Sequence, residues 1–142
     1  MARPSGAKTR CSGKWTQAKF NSFIKNLLRQ GTRKWAPIQE IKREARVSRG
    51  IYKCAQCKEH VPATKVVNGK RQHNVAVDHI KPIIDPEVGF TSWDDVIEGM
   101  FCEKDNLQLV CKLCHDRITA EERAIAAERR KRDKESNDLS DI

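Results

Sequence analysis

The stretch Asn106-Leu-Gln-Leu-Val-Cys-Lys-Leu-Cys-His115 decides the fold, because its two cysteines form a CxxC pair. A second CxxC pair, Cys54 and Cys57, lies earlier in the chain. Structural zinc sites take four Cys or His ligands in a tetrahedron, and two such pairs supply four thiolates. We therefore predict one structural Zn²⁺ ion held by Cys54, Cys57, Cys111 and Cys114. His60 could substitute for one of them, but we interpret it as a surface-loop residue.

The segment between the two cysteine pairs is long enough to hold a whole structural unit. Two β-rich runs, Ala63–Val67 and Arg71–Val77, flank Asn68-Gly69, which is a strong signal for a β-hairpin. Apolar periodicity and capping residues predict four helices, from near Thr16 to Gly31, Pro37–Val47, Trp93–Met100 and about His115–Lys134. The chain is therefore expected to have an α+β fold stapled by zinc.

A group of residues suited to catalysis lies beside the cysteines. Asp78 and His79 are adjacent at the end of a predicted strand, so their side chains point to opposite faces. His115 directly follows the zinc ligand Cys114, which would fix its position at a helix start. A carboxylate and a neutral imidazole can hold a divalent ion with open positions, and a further histidine can deprotonate water.

These residues, in this order, carry a resemblance to a known family. Asp78-His79-Ile80, then Asn106-Leu-Gln108, then Cys111-Lys-Leu-Cys114-His115 resemble the motif of the HNH endonucleases in its four-cysteine zinc version. The resemblance covers about residues 52–122. It implies a small ββα-metal fold and the hydrolysis of DNA phosphodiester bonds, by nicking or by double-strand cleavage. The small size and basic arm also resemble members of the family from phages and prophages.

The resemblance implies a role for each matching position. His79 would be the general base that activates water. Asp78 and His115 would bind a catalytic divalent ion such as Mg²⁺, Mn²⁺ or Ni²⁺. Asn106 would hydrogen-bond across the ββα loop and hold His79 in its orientation.

One position departs from the family pattern. Many members have a lysine–threonine pair shortly after the last histidine, whereas this chain has Ile118-Thr119. Thr119 matches and the lysine is missing, so Arg117 or Arg123 would supply the contact with phosphate.

Positive charge is concentrated towards the N-terminus. Residues 1–53 contain 14 of the 28 Lys and Arg residues and 2 of the 19 Asp and Glu residues. A basic arm on a nearly neutral body is typical of proteins that bind polyanions. We expect this arm to contact DNA through Lys42, Arg43, Arg46, Arg49 and Lys53. The alternatives are a solvated tail and an arm that docks a protein partner through the apolar face Phe20–Leu28.

The expected organisation has three parts. Residues 1–50 form a basic helical N-terminal arm, residues 51–127 the HNH nuclease domain with its zinc site, and residues 128–142 a charged C-terminal tail. Residues 1–13 are expected to be disordered and residues 136–142 to fray. Removal of residues 1–50 is expected to leave the zinc site and the remaining fold intact.

A second functional class competes with the nuclease. It is a zinc-stapled DNA-binding or scaffolding module without catalysis, which would have no need of a base beside a metal site. The expected partners are DNA and also a phage DNA-packaging terminase or another protein. No apolar run approaches the ~18 residues of a membrane span, and no secretory signal is evident. Cysteines in CxxC pairs suit a reducing compartment, so we expect the cytoplasm, that of the host cell if the protein is phage-encoded.

Overall fold

The protein combines helices with small antiparallel sheets, which confirms the predicted α+β class. The structure is a computed structural model that describes residues 6–140, with side chains described up to Ser136. The parts of the predicted disordered termini at residues 1–5 and 141–142 lie outside the described residues. The chain divides into two compact units between Lys34 and Trp35.

The first unit is built around helix α1 (Gln17–Gly31). Thr16 caps the helix, because its hydroxyl oxygen accepts a hydrogen bond from the Lys19 backbone N–H at 3.2 Å. The predicted helix and both its ends are confirmed. Ahead of it, Arg10 pairs with Trp15 in an isolated β-bridge, and the Trp15 ring contacts the edge of Phe23 with centroids 5.1 Å apart. Part of the segment predicted to be disordered therefore folds back against the helix.

The second unit holds the remaining helices and all the named strands of the described residues. Its helices are α2 (Ala36–Ala45), α3 (Trp93–Met100) and α4 (Lys112–Ser140). Its strands are β1 (Arg46–Ser48), β2 (Ile51–Lys53), β3 (His60–Pro62), β4 (Thr64–Val67), β5 (Lys70–His73), β6 (Val75–His79) and β7 (Leu107–Cys111). The α3 helix matches its prediction.

Three small antiparallel sheets organise these strands. The first contains β1, β2 and β3 in that order, the second pairs β4 with β5, and the third pairs β6 with β7. Asn68 and Gly69 join β4 to β5 with φ values of 52° and 75°, which a tight hairpin turn requires, so the predicted hairpin is confirmed. The predicted strand 71–77 is interrupted at Asn74, whose side-chain amide donates to the Pro62 carbonyl at 2.9 Å.

Helix α2 is part of the second unit, whereas the sequence analysis assigned residues 1–50 to the arm. Ile38 on its inner face is buried, and the helix packs against β6 and β7. The Trp35 indole N–H donates to the Cys102 carbonyl at 2.7 Å, and Lys104 pairs with Glu44 at 2.5 Å. The helix ends at Ala45 rather than Val47, because residues 46–48 pair with β2. The periodicity predicted the apolar inner face, but the basic outer face led to its assignment to the arm.

Helix α4 is longer than predicted at both ends. It starts at Lys112 and continues to Ser140, through most of the segment 128–142 assigned to a tail, so residues 136–140 are helical rather than frayed. Arg129 fixes it to the loop between β6 and α3, because its guanidinium donates to the Pro86 carbonyl at 3.4 Å and lies over Gly89. Gly89 has a φ of 86°, which strains other residues, and a Cβ atom there would stand 2.5 Å from Nη1 of Arg129 and displace the guanidinium. Arg132, one turn further, also pairs with Glu87 of this loop at 3.2 Å.

The interior of the second unit comes mainly from α3 and β7. Val96 and Met100 from the helix are almost fully buried, as are Leu109 and Val110 from the strand. Among residues 6–140, no helix combines the length and apolar character that a bilayer span requires.

Candidate metal centre and catalytic site

The cysteines of the two CxxC pairs converge on one point. The Sγ atoms of Cys54, Cys57, Cys111 and Cys114 all lie within 4.8 Å of one another, and those of Cys57 and Cys111 are 3.9 Å apart. A tetrahedral site with Zn–S distances of ~2.3 Å has sulfur–sulfur distances of about 3.8 Å. The four cysteines therefore fit a metal ion such as zinc, while His60 lies outside the cluster in β3.

Backbone hydrogen bonds hold the first cysteine pair against β7. The Cys54 N–H donates to the Glu59 carbonyl at 3.0 Å and the Lys58 N–H to the Cys54 carbonyl at 3.0 Å, which closes a tight turn with Lys58 at a φ of 66°. The Ala55 N–H donates to the Leu109 carbonyl at 2.8 Å. The second pair follows on the same strand, so the halves are fixed relative to each other despite their separation in sequence.

The thiols of the cluster differ in acidity. Burial acts to raise the pKa of Cys54, but hydrogen bonds from the backbone N–H groups of Cys111, Cys57 and Gln56 lower this pKa to about 6. The first of these places the Cys111 N–H nitrogen 3.3 Å from the sulfur. Burial and the neighbouring thiols raise the pKa of Cys114 to about 12. One thiol is therefore ready to ligate as thiolate, and a bound cation would ionise its neighbours.

Strands β6 and β7 and helix α4 pack together and present Asp78 and His79 on opposite faces. Asp78 pairs with Gln108 and His79 with Leu107 in the antiparallel register. The Oδ2 atom of Asp78 is buried and has no hydrogen-bond partner among the described residues. A buried carboxylate oxygen without a partner is costly unless a proton or a cation compensates it, so Asp78 Oδ2 is the atom that would meet a divalent ion.

His79 is fixed by a bond to the end of helix α3. Its Nε2 atom lies 3.0 Å from the Met100 carbonyl oxygen. A carbonyl can only accept, so the proton of a neutral His79 ring resides on Nε2 and Nδ1 keeps its lone pair. The sequence analysis did not foresee Met100 as the partner, because twenty residues separate the two positions and no motif links them.

Asn106 bridges the loop that follows His79. Its Oδ1 accepts from the Lys81 N–H at 2.8 Å, and its Nδ2 donates to the Lys81 carbonyl at 3.3 Å. Its own backbone carbonyl accepts from the Ile80 N–H at 2.9 Å. These hydrogen bonds cross the loop as expected, but they are made to the backbone of Ile80 and Lys81 and not to the His79 ring.

His115 and Asp78 are related through Glu122, which the sequence analysis missed. His115 is partly exposed on α4, one residue before Asp116, and its Nδ1 atom lies 3.9 Å from Oδ1 of Asp116. Burial raises the pKa of Glu122, and the negative charge of Asp78 raises it further. The positive charge of protonated His115 acts to lower the same pKa. Glu122 therefore lies within electrostatic reach of both predicted ligands. The spacing of seven residues from His115, two helical turns, was the signal in the sequence.

The predicted DNA-contacting residues are solvent-accessible and lie on α2, on and between β1 and β2, and on α4. Most are exposed, and Thr119 is partly buried. The Arg46 side chain is turned to its own strand, donating to the Ser48 carbonyl at 3.4 Å. The exposed set comprises Lys42, Arg43, Arg46, Arg49, Lys53, Arg117 and Arg123.

Comparison with known proteins gives no relative for this chain. No protein-family model matches it, and no curated protein or solved structure matches it significantly.

Proposed function

We propose that the chain is a metal-dependent endonuclease of the HNH type, which hydrolyses DNA phosphodiester bonds and holds a structural Zn²⁺ ion in its cysteine cluster. The strongest support for this proposal comes from the two residues at the end of β6. Asp78 has a buried carboxylate oxygen without a partner, and His79 has a ring fixed through Nε2 with Nδ1 left as a base.

The two metal sites would serve different purposes. The four thiolates close the coordination of zinc and would join β7 and α4 to the turn of Cys54 and Cys57. Asp78 and His115 would hold the catalytic divalent ion and leave other positions open. When bound, that ion supplies neutralisation of the charge that grows on the phosphate and on the leaving oxygen.

The residues of the chain would carry out the proton transfer. Nδ1 of His79 would accept a proton from water as the water oxygen bonds to phosphorus and the bond from phosphorus to the 3′ oxygen breaks. The 3′ oxygen would leave with the bonding electron pair and take a proton from solvent to become a hydroxyl. The Met100 carbonyl keeps the ring in the tautomer that this step requires. The Asn106 bonds to Lys81 hold the chain directly after His79, so that the base cannot drift from its position.

The exposed basic residues would bring this site to its polyanionic substrate. Arg117 and Arg123 follow His115 on α4 and would contact phosphates beside the cleaved bond, with Thr119 between them. Lys42, Arg43, Arg46, Arg49 and Lys53 would contact phosphates further away. A phage terminase or another protein could recruit the nuclease through α1, whose Phe23 and Leu27 side chains are exposed.

Plasmid cleavage tests the nuclease directly. Supercoiled plasmid is incubated with the wild-type protein in Mg²⁺, Mn²⁺ or Ni²⁺, and nicked and linear forms are quantified. Wild type should cut in at least one metal and stop in EDTA. His79→Ala should lose activity on the order of 10²-fold or more. His60→Ala, an exposed strand histidine outside both proposed metal sites, is the matched control and should cut normally.

Two results would contradict the proposal. Equal cleavage by wild type and His79→Ala would exclude His79 as the base. DNA binding with no cleavage in any of the metals would favour the alternative, a zinc-stapled DNA-binding module without catalysis.

Metal analysis tests the zinc ion separately. The purified protein should contain one zinc per chain, and Cys114→Ser should lose it together with thermal stability, because metal binding is coupled to folding. Cys11→Ser, which changes an exposed thiol outside the cluster, should retain the zinc. Folded wild-type protein without zinc would remove this part of the proposal.

A further inference from the structure

The hairpin of β4 and β5 has no part in either metal site, yet it is a compact source of positive charge. Between His60 and Val77 the chain has three cations, Lys65, Lys70 and Arg71, and no carboxylate. Lys70 and Arg71 are exposed, and Val66 on the same ribbon is 61% exposed. Within the described residues the two strands pair only with each other. The ribbon thus presents cations on an open surface.

The base of this hairpin is firmly attached to the candidate site. The Asn74 N–H donates to the Ala63 carbonyl at 2.9 Å, which closes the hairpin where β4 and β5 meet the rest of the unit. The Asn74 carbonyl accepts from the Lys112 N–H at 2.9 Å, directly beside Cys111. Residue 75 then begins β6, the strand that ends in Asp78 and His79. Asn74 therefore joins the base of the hairpin to the strand that ends in Asp78 and His79.

Arg71 is held in place on the ribbon. Its Nη1 atom donates to the Thr64 hydroxyl at 2.9 Å, and its partner across the strands is Val66. One of its N–H donors is used in this way and the others are left for an external acceptor. A guanidinium fixed in this manner is prepared for contact with phosphate or with a base edge.

We propose that the β4–β5 hairpin is a second DNA-binding element, a two-stranded ribbon that enters the major groove of duplex DNA beside the cleavage site. The major groove of B-DNA admits a two-stranded β-ribbon, and three cations without a carboxylate match the charge of its phosphate walls. The inference rests on the proposed function for the identity of the substrate.

The chain limits how far this contact can lie from the cut. Lys70 and His79 are nine residues apart, and an extended chain covers at most about 3.3–3.6 Å per residue, so they stand no more than about 32 Å apart. At 3.4 Å per base pair this is about nine base pairs. The hairpin should therefore contact DNA within one helical turn of the scissile phosphate.

The salt dependence of DNA binding tests the proposal. The variant Lys65→Gln/Lys70→Gln/Arg71→Gln is compared with Arg130→Gln/Lys131→Gln/Lys134→Gln, which removes the same charge from exposed positions of α4. Binding to a fluorescent duplex is measured at several salt concentrations without added divalent metal. A plot of log affinity against log salt concentration has a negative slope, and each phosphate contact contributes about 0.9 to its steepness. The steepness should decrease by about two to three for the hairpin variant and by less than one for the control. Equal changes in both variants would overturn the proposal.

Footprinting and cleavage separate this proposal from the nuclease assignment. On a long duplex, the hairpin variant should lose hydroxyl-radical protection within about nine base pairs of the cut or of the bound site's centre. Protection identical to wild type would overturn the groove contact. The α4 control variant should nick plasmid at the wild-type rate, whereas the hairpin variant should need a higher protein concentration for half-maximal cleavage. A wild-type protein that shows the hairpin-dependent slope but never cuts would refute the nuclease and leave the ribbon's role standing.

Discussion

The Nε2 atom of His79 lies 3.0 Å from the carbonyl oxygen of Met100, so the last turn of α3 determines which ring nitrogen can act as a base. We predict that neutral His79 is the Nε2–H tautomer. Nitrogen-15 correlation spectra of labelled protein should show Nε2 bonded to hydrogen and Nδ1 without hydrogen. Exposed His73 should show the mixture of tautomers typical of solvent. A neutral His79 with its proton on Nδ1 would exclude the assigned direction of proton transfer.

Asn106 grips the backbone of Lys81 through both ends of its side-chain amide. Asn106→Ala should free that backbone, since both groups then bond to water. The cost should be modest, about 1 kcal/mol of unfolding free energy, but amide exchange at Lys81 should accelerate and plasmid cleavage should fall. Asn26→Ala, at an exposed position of α1, provides the control. Unchanged exchange at Lys81 together with normal cleavage would argue against a positioning role.

The sequence predicted the parts of the fold that depend on local signals. The cap at Thr16, the turn at Asn68-Gly69 and the periodicity of α3 are each encoded within a few residues, and each is present. The convergence of the cysteines was also predictable, because the chemistry of zinc demands four ligands from two widely separated pairs.

What the sequence could not predict depends on contacts between distant residues. The periodicity of α2 predicted the inward side of Ile38 but not that the helix belongs to the second unit. Charge at the end of α4 suggested a solvated tail, but Arg129 binds the Pro86 carbonyl from it. A long basic side chain can pack over a loop even though the charged sequence around it predicts a solvent-exposed segment. The position of Met100 beside His79 likewise arises from packing, which no short motif records. The spacing from His115 could have indicated Glu122, but its closeness to Asp78 depends on the packing of α4 against β6.

The unequal acidity of the cysteines predicts how many protons zinc binding releases. With a pKa of about 6, Cys54 is already a thiolate at pH 7.5, whereas Cys114, with a pKa of about 12, is protonated. Zinc binding to folded apoprotein at pH 7.5 should therefore release fewer than four protons, and the number should rise as the pH falls through 6. Calorimetry in buffers of different ionisation enthalpy measures this number, with circular dichroism as the check that the apoprotein is folded. Release of four protons at pH 7.5 from folded apoprotein would contradict the assignment to Cys54.

Glu122 should make the metal-free protein sensitive to pH. Burial and the Asp78 carboxylate raise its pKa in the folded state above that in the unfolded chain. Its contribution to stability is therefore fully present below the unfolded pKa and is lost as the pH rises through the folded pKa. In EDTA concentrations that spare the zinc, Glu122→Gln should be more stable than wild type at pH 7 and equal to it near pH 3.5. Glu121→Gln, at the neighbouring exposed position, should match wild type throughout. Chemical denaturation across this pH range measures the difference, and a variant less stable than wild type at pH 7 would reverse the sign.

Truncation at two positions distinguishes the arm from the body. Removal of residues 1–34 should leave the second unit folded with its zinc, because the division between units lies at Lys34–Trp35. Removal of residues 1–50 also deletes the Trp35 indole, which donates to the Cys102 carbonyl, and the buried Ile38 side chain. Loss of a buried side chain of this size costs about 2–5 kcal/mol, so this shorter protein should unfold at a markedly lower denaturant concentration, measured by circular dichroism. Equal stability of the two truncated proteins would show that α2 contributes nothing to the body, contrary to its contacts with β6 and β7.

The same two truncations also report what the arm binds. Residues 1–34 contain nine Lys or Arg and no Asp or Glu, so their removal should weaken DNA binding and flatten its dependence on salt. If α1 instead docks a protein partner through Phe23 and Leu27, the protein lacking residues 1–34 should keep its affinity for naked DNA at every salt concentration. Fluorescence anisotropy at several salt concentrations measures the binding and separates these two outcomes.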